Sequence, residues 1–193
     1  MSQKDFHDFC VIYTNSICCW NRIESLFRSL LQGPRPNPSA FIAALHLDPE
    51  ALALAVKATA EAYADSQRAK HVLHAAEYFD RLRLHRNHYV HRLAVVAMDA
   101  SNEFALKASV YSLSARGRVR LIEQPVSLDD VKEFFGWCCA LEVYVNALTN
   151  RPTEALDALA LAPFPEMPIL PSKGPREAKR YLFGEGRSGV AVV

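Results

Sequence analysis

The 193-residue chain has the length of one domain with a tail, and half of its residues are hydrophobic, which suffices for a packed core. The formal net charge of +1 excludes a broadly basic surface, so any binding of nucleic acid must depend on a local cluster. The N-terminus lacks an apolar signal region, and no apolar run is long enough to cross a bilayer. We therefore predict a cytoplasmic protein that does not bind membranes.

The cysteines do not suggest a metal or redox centre. Their odd number, with two adjacent pairs, is unsuited to a disulfide framework, and adjacent cysteines lack the two-residue gap that zinc ligands usually have. We predict reduced, buried thiols that pack as small hydrophobes, and we expect no metal and no cofactor. The five cysteines are Cys10, Cys18, Cys19, Cys138 and Cys139.

The first predicted helix covers residues 4 to 32 and ends at a proline-containing loop, residues 33–38. Two apolar stripes follow the helix, which indicates that it is buried on more than one side. One stripe consists of Phe6, Phe9, Tyr13, Ile17, Trp20 and Phe27, and the other of Ile12, Cys19, Ile23, Leu26 and Leu30.

A second helical region begins at Asp48, which can cap free amides, and Pro49, which suits the first helical position. Helical composition then continues to about residue 98, which is too long for one helix in a small domain. We predict a break near Asp65 and Ser66 and two helices that pack antiparallel. The second of them covers about residues 67–97.

From Phe104 the apolar residues alternate with a period of two, which predicts a β-hairpin at about residues 103–123 with its turn near Gly117. Ser127 and Asp130 then resemble a capping box at the start of a final helix. Apolar residues spaced alternately by three and four follow, which is typical of a seam in a bundle core or a dimer. The seam consists of Val131, Phe134, Cys138, Leu141, Val145 and Leu148.

The predicted fold class is mostly α, a bundle of four to five helices with an inserted β-hairpin and a Pro/Gly-rich C-terminal tail. We place the helical domain at residues 1–150 and an extended or disordered tail at residues 151–193. Segments 165–168 and 168–171 each match PxxP. Two interpretations of the tail therefore remain: a polyproline segment by which an adaptor binds a partner, and a plain linker.

One segment stands out chemically. Residues 80–92 hold four arginines and three histidines among few acids, in a chain of almost no net charge. Such a local cationic strip attracts phosphate, and imidazole titrates near neutral pH.

Helix geometry determines which residues of this strip share a face. Arg83, Asn87 and His91 are spaced by four and share one face of a helix. Arg86 points about 140° away from His91 on an ideal helix, so one copy would not easily aim both groups at one phosphate. A second copy across a two-fold axis would bring the two groups together.

The segment Arg86-Asn87-His88-Tyr89-Val90-His91 resembles the motif of the HEPN family, an arginine followed by a polar residue, often asparagine, and by a histidine after four to six intervening residues. The resemblance implies a helical bundle that dimerises around the motif and cleaves RNA without a metal. Arg86, Asn87 and His91 would be the catalytic residues. Arg83, His88 and Arg92 are the predicted RNA contacts.

The resemblance also implies a role as a toxin or defence component. An antitoxin or a nucleotidyltransferase-like protein would then be a further partner. A non-catalytic module for dimerisation, nucleotide binding or RNA binding is the alternative. In a purely structural role, Arg86 would pair with Glu77, Asp80 or Glu142. The histidine pairs 71/74 and 85/88 have a spacing that suits a metal, but we expect solvated or core side chains there.

Overall fold

The computed structural model describes residues 2–31, 38–61, 66–98, 104–113, 119–152, 155–156 and 158–164. Within these ranges the chain is mostly helical, as predicted. The helices are α1 (Gln3–Leu30), α2 (Pro38–Leu45), α3 (Pro49–Glu61), α4 (Ser66–Arg92) and α5 (Leu128–Asn150). The strands are β1 (Leu93–Met98), β2 (Phe104–Leu113) and β3 (Val119–Pro125).

Helix α1 begins at a capping box, in which Ser2 Oγ accepts from the Asp5 amide and the Asp5 carboxylate accepts from the Ser2 amide. Both predicted apolar stripes contribute to its buried side. The prediction that every cysteine is buried is wrong, because Cys10 and Cys18 are exposed. They lie on the polar side that even a largely buried surface helix retains.

Helix α3 begins at Pro49 as predicted, and Asp48 Oδ1 accepts the amide of Ala51 at 2.8 Å. The predicted break lies between the end of α3 and the start of α4. An ion pair between Glu50, at the start of α3, and Arg83, near the end of α4, shows that these helices run antiparallel. Helix α2 was not predicted.

Helix α4 ends five residues earlier than the predicted limit, and β1 follows at once. A short apolar run such as residues 93–98 suits a helix or a strand equally, and pairing with another strand decides the outcome. Here Leu93 pairs with Ala108 of β2 in an antiparallel arrangement. Strand β2 also pairs antiparallel with β3, so the sheet order is β1-β2-β3. The predicted turn near Gly117 lies outside the described residues.

Helix α5 confirms the predicted capping box, because Ser127 Oγ accepts from the Asp130 amide at 3.1 Å and Asp130 Oδ2 accepts from the Ser127 amide at 2.7 Å. The predicted seam forms part of the core. All six of its residues are fully buried: Val131, Phe134, Cys138, Leu141, Val145 and Leu148.

Contacts between the long helices fix their directions. Cys19 lies against Cys138, and one helical turn later Arg22 bonds Glu142, so α1 and α5 run parallel.

Helix α4 runs antiparallel to α5. His71 of α4 lies 2.6 Å from the Tyr144 hydroxyl, whereas Tyr89 contacts Asp130 at the start of α5. The N-terminal half of α1 therefore lies at the same end of the bundle as the C-terminal half of α4.

The chain continues to pack beyond Asn150, where the tail was predicted to begin. Leu156 is fully buried, and His74 donates through Nε2 to the Ala162 carbonyl at 2.6 Å. Phe164 stacks on the His74 ring at a centroid distance of 4.4 Å, and the Arg81 guanidinium lies 4.1 Å from the Phe164 ring centre. We call residues 155–156 and 158–164 the C-terminal strap. Both PxxP segments lie outside the described residues.

The α1–α5 contact includes a titratable group. Arg22 donates through Nε and Nη2 to the two oxygens of Glu142, at 2.6 and 2.9 Å, and the Cys19 thiol donates to the same carboxylate. The bonds from Arg22 hold the pKa of Glu142 below its ordinary value. A lowered folded-state pKa stabilises the fold above the ordinary pKa, and this contribution is lost as the pH falls through the lowered value.

We therefore expect Glu142→Gln to flatten the fall in the free energy of unfolding between pH 5 and pH 3 relative to the wild type. Urea unfolding at several pH values measures this slope. Glu133→Gln, a change of an exposed glutamate on the same helix, should keep the wild-type slope. Equal slopes for the Glu142 variant and the wild type would contradict the assignment.

Candidate functional site

The predicted motif occupies the last two turns of α4, which stays helical through Arg92. The helix is therefore continuous past His91. The side chains of His88, His91 and Arg92 lie outside the described residues, so the predicted contacts of these three side chains remain predictions.

Arg86 and Asn87 are in direct contact. Arg86 donates through Nη1 to Asn87 Oδ1 at 3.1 Å. Both side chains are half-buried, and Nε of Arg86 is shielded from solvent. The asparagine therefore holds one edge of the guanidinium.

Arg83, a predicted RNA contact, forms two ion pairs. Its Nη1 lies 3.1 Å from Glu50, and its Nη2 lies 2.9 Å from Asp80. Two carboxylates neutralise this half-buried guanidinium, and the bond to Glu50 ties α3 to α4. Arg83 therefore serves chiefly as a link between helices.

The carboxylates that were considered as partners of Arg86 bond other cations. Glu77 pairs with Arg81 at 2.9 Å, one turn away on the same helix. Asp80 pairs with Arg83, and Glu142 pairs with Arg22 of α1. The cationic strip is thus partly neutralised at its N-terminal half.

His85, just before the motif, and Tyr89, within it, anchor α4 to α5. His85 is buried and packs on Trp137 with ring centroids 4.7 Å apart. Tyr89 packs on Phe134, and its hydroxyl donates to the Asp130 carbonyl at 3.5 Å. Burial raises the pKa of Tyr89. These contacts hold the motif-bearing turns against the core.

The histidine pair 71/74 is part of the packing, and His71 is a core side chain, which was one of the two placements predicted for it. Nδ1 of His71 lies 2.6 Å from the Tyr144 hydroxyl inside the core. His74 supports the C-terminal strap through Ala162 and Phe164.

Tyr13 of α1, predicted only as a member of an apolar stripe, lies near Arg86. Burial raises the pKa of its half-buried hydroxyl, and the positive charge of Arg86 offsets part of that rise. A pattern local to α4 cannot reveal a neighbour that comes from α1. Only the parallel and antiparallel directions of the helices bring the two residues to one level.

Within the described ranges, no group of three or more histidine, cysteine or acidic side chains is placed to hold a metal ion. In the same ranges, no helix combines the length and the apolar character needed to cross a membrane.

No protein-family model matches the chain, and neither a curated protein nor a solved structure matches it. What this protein does must therefore be inferred from the residues around Arg86.

Proposed function

We propose that the protein is a metal-independent endoribonuclease of HEPN type, which works as a homodimer in a toxin or defence system. One observation carries the proposal. The side chain that would bind phosphate, Arg86, is held by Asn87 on the last turns of a helix whose other face is anchored in the core. A guanidinium fixed before substrate arrives can stabilise charge without reorganising during the reaction.

The proposed reaction uses the ribose of RNA as nucleophile. The 2′-oxygen attacks the adjacent phosphorus, its proton passes to His91, and the bond to the 5′-oxygen breaks. The leaving 5′-oxygen takes a proton from an imidazolium, which leaves a 2′,3′-cyclic phosphate and a 5′-hydroxyl. Arg86 offsets the charge that builds on the phosphate.

Helix geometry supports the proposed dimer. Because α4 remains helical through Arg92, Arg86 and His91 diverge by about 140° within one copy. A two-fold axis beside the end of α4 would place Arg86 of one copy near His91 of the other. In this proposal the helical domain carries an inserted hairpin at about 103–123, and an extended tail follows the C-terminal strap.

A non-catalytic binding module is the second candidate, and the ion pairs of Arg83 favour it. An arginine whose charge two carboxylates already balance contributes little to holding an RNA backbone. In this reading the motif turns form a dimer contact or a nucleotide site and carry out no chemistry.

The test compares RNA with DNA of the same sequence in the presence of a chelator. We expect the purified protein to cut the RNA, to leave the DNA intact because it lacks the 2′-hydroxyl, and to produce ends with cyclic phosphate. Gel analysis with end-labelled oligonucleotides and mass spectrometry of the products measure this.

Two outcomes would contradict the nuclease. One is cleavage of the DNA at a comparable rate, since the proposed nucleophile is then not used. The other is retention of RNA without any cleavage, which supports the binding module instead.

A further inference from the structure

Three aromatic rings form a ladder along the first half of α1. Phe6 and Phe9 stack with centroids 6.3 Å apart and an interplanar angle of 24°. Phe9 and Tyr13 stack with centroids 5.6 Å apart and an angle of 20°. The aromatic ladder therefore consists of rings in nearly parallel planes at helical spacing.

The two ends of the aromatic ladder differ from its middle. Phe9 is almost completely buried, and it fixes the ladder to the core. Phe6 and Tyr13 are only partly buried, so each retains surface that water reaches.

Helix register places the aromatic ladder at the end of the bundle that carries the motif. On α5, Cys138 is level with Cys19, so Tyr13 is level with a position six residues earlier, Lys132. On α4, Tyr89 is level with Asp130. Arg86 lies about one turn before Tyr89 and is therefore close to the level of Tyr13.

We propose that Tyr13 forms a stacking platform for a base of single-stranded RNA whose backbone phosphate is bound at Arg86. The platform rests on the proposed function, because the choice of RNA as its ligand comes from that proposal. Aromatic faces stack any base, while a nearby cation holds the backbone, and this combination is typical of proteins that bind single strands.

A stacked base typically changes affinity about 5–150-fold. We therefore expect Tyr13→Leu, which keeps apolar volume but removes the ring, to weaken RNA binding within this range. Tyr13→Phe, which keeps the ring, should bind as the wild type does. Fluorescence anisotropy with a labelled, fully 2′-fluoro single-stranded RNA measures affinity without cleavage.

Phe164→Leu is the matched control, because Phe164 is also a half-buried aromatic residue but lies in the C-terminal strap. It should leave RNA affinity unchanged. A second probe carries abasic positions in place of bases. The wild type should bind it more weakly than the intact strand, whereas Tyr13→Leu should bind both alike.

The results separate the platform from the nuclease. If the wild type cleaves RNA but Tyr13→Leu binds the 2′-fluoro strand as tightly, the platform is wrong and the nuclease stands. If Tyr13→Leu weakens binding but the wild type never cleaves, the platform stands and the nuclease is wrong. Failure of the folded wild type to bind the strand overturns the platform.

Discussion

RNA cleavage by His91→Ala is expected to be about 10²–10⁴ times slower than by the wild type, because a placed proton-transfer group contributes about this factor. His91 stands one residue before the end of α4 and carries an imidazole, a group that exchanges protons near neutral pH. Such a group can donate a proton to the leaving 5′-oxygen. Rates under single-turnover conditions measure the chemical step directly.

The control for this loss is His7→Ala, because His7 is an exposed imidazole on α1. It should cleave at the wild-type rate. Arg86→Lys, which keeps the charge but loses the planar fork, should cleave more slowly than the wild type. If His91→Ala cleaves as fast as the wild type, His91 is not the catalytic acid or base.

Phe79→Ala should lower the free energy of unfolding by about 3–5 kcal/mol, the usual loss for a fully buried phenylalanine. Phe79 of α4 lies between two rings of α1 and is completely buried. Its centroid is 4.7 Å from that of Trp20 and 4.3 Å from that of Phe27. Alanine would leave a cavity at the contact that joins the two helices, and urea unfolding measures the loss.

Leu54→Ala is the control for Phe79→Ala, because Leu54 is 60% exposed on α3. It should change the free energy of unfolding by less than about 0.5 kcal/mol. The loss of stability caused by Phe79→Leu should lie between the losses caused by Phe79→Ala and Leu54→Ala. A loss below about 1 kcal/mol for Phe79→Ala would mean that the three rings do not form the central contact between α1 and α4.

Local signals in the sequence predicted the helix starts well. Asp48 and Ser127 act on amides within three residues of themselves, so their capping needs no knowledge of the rest of the fold. The regular seam of α5 also predicted its buried face. The end of α4 was missed because the run from Leu93 to Met98 is decided by its pairing with β2, a non-local partner.

The candidate site likewise combines features that the sequence of one helix predicts with features that depend on other helices. The spacing of Arg83, Asn87 and His91 follows from the period of one helix. That Arg83 is neutralised depends on Glu50, which another helix brings to it. Tyr13 likewise reaches the motif level only through the packing of α1, so no pattern around Arg86 could have identified it.

The C-terminal strap determines where the chain can be shortened. Leu156 is completely buried, and Phe164 is held by His74 and Arg81. A truncation after Asn150 would uncover apolar surface on α4, and the shortened protein would tend to aggregate. A truncation meant to ask whether the proline-rich end recruits a partner should therefore stop after Phe164, so that a lost interaction is not mistaken for a damaged domain.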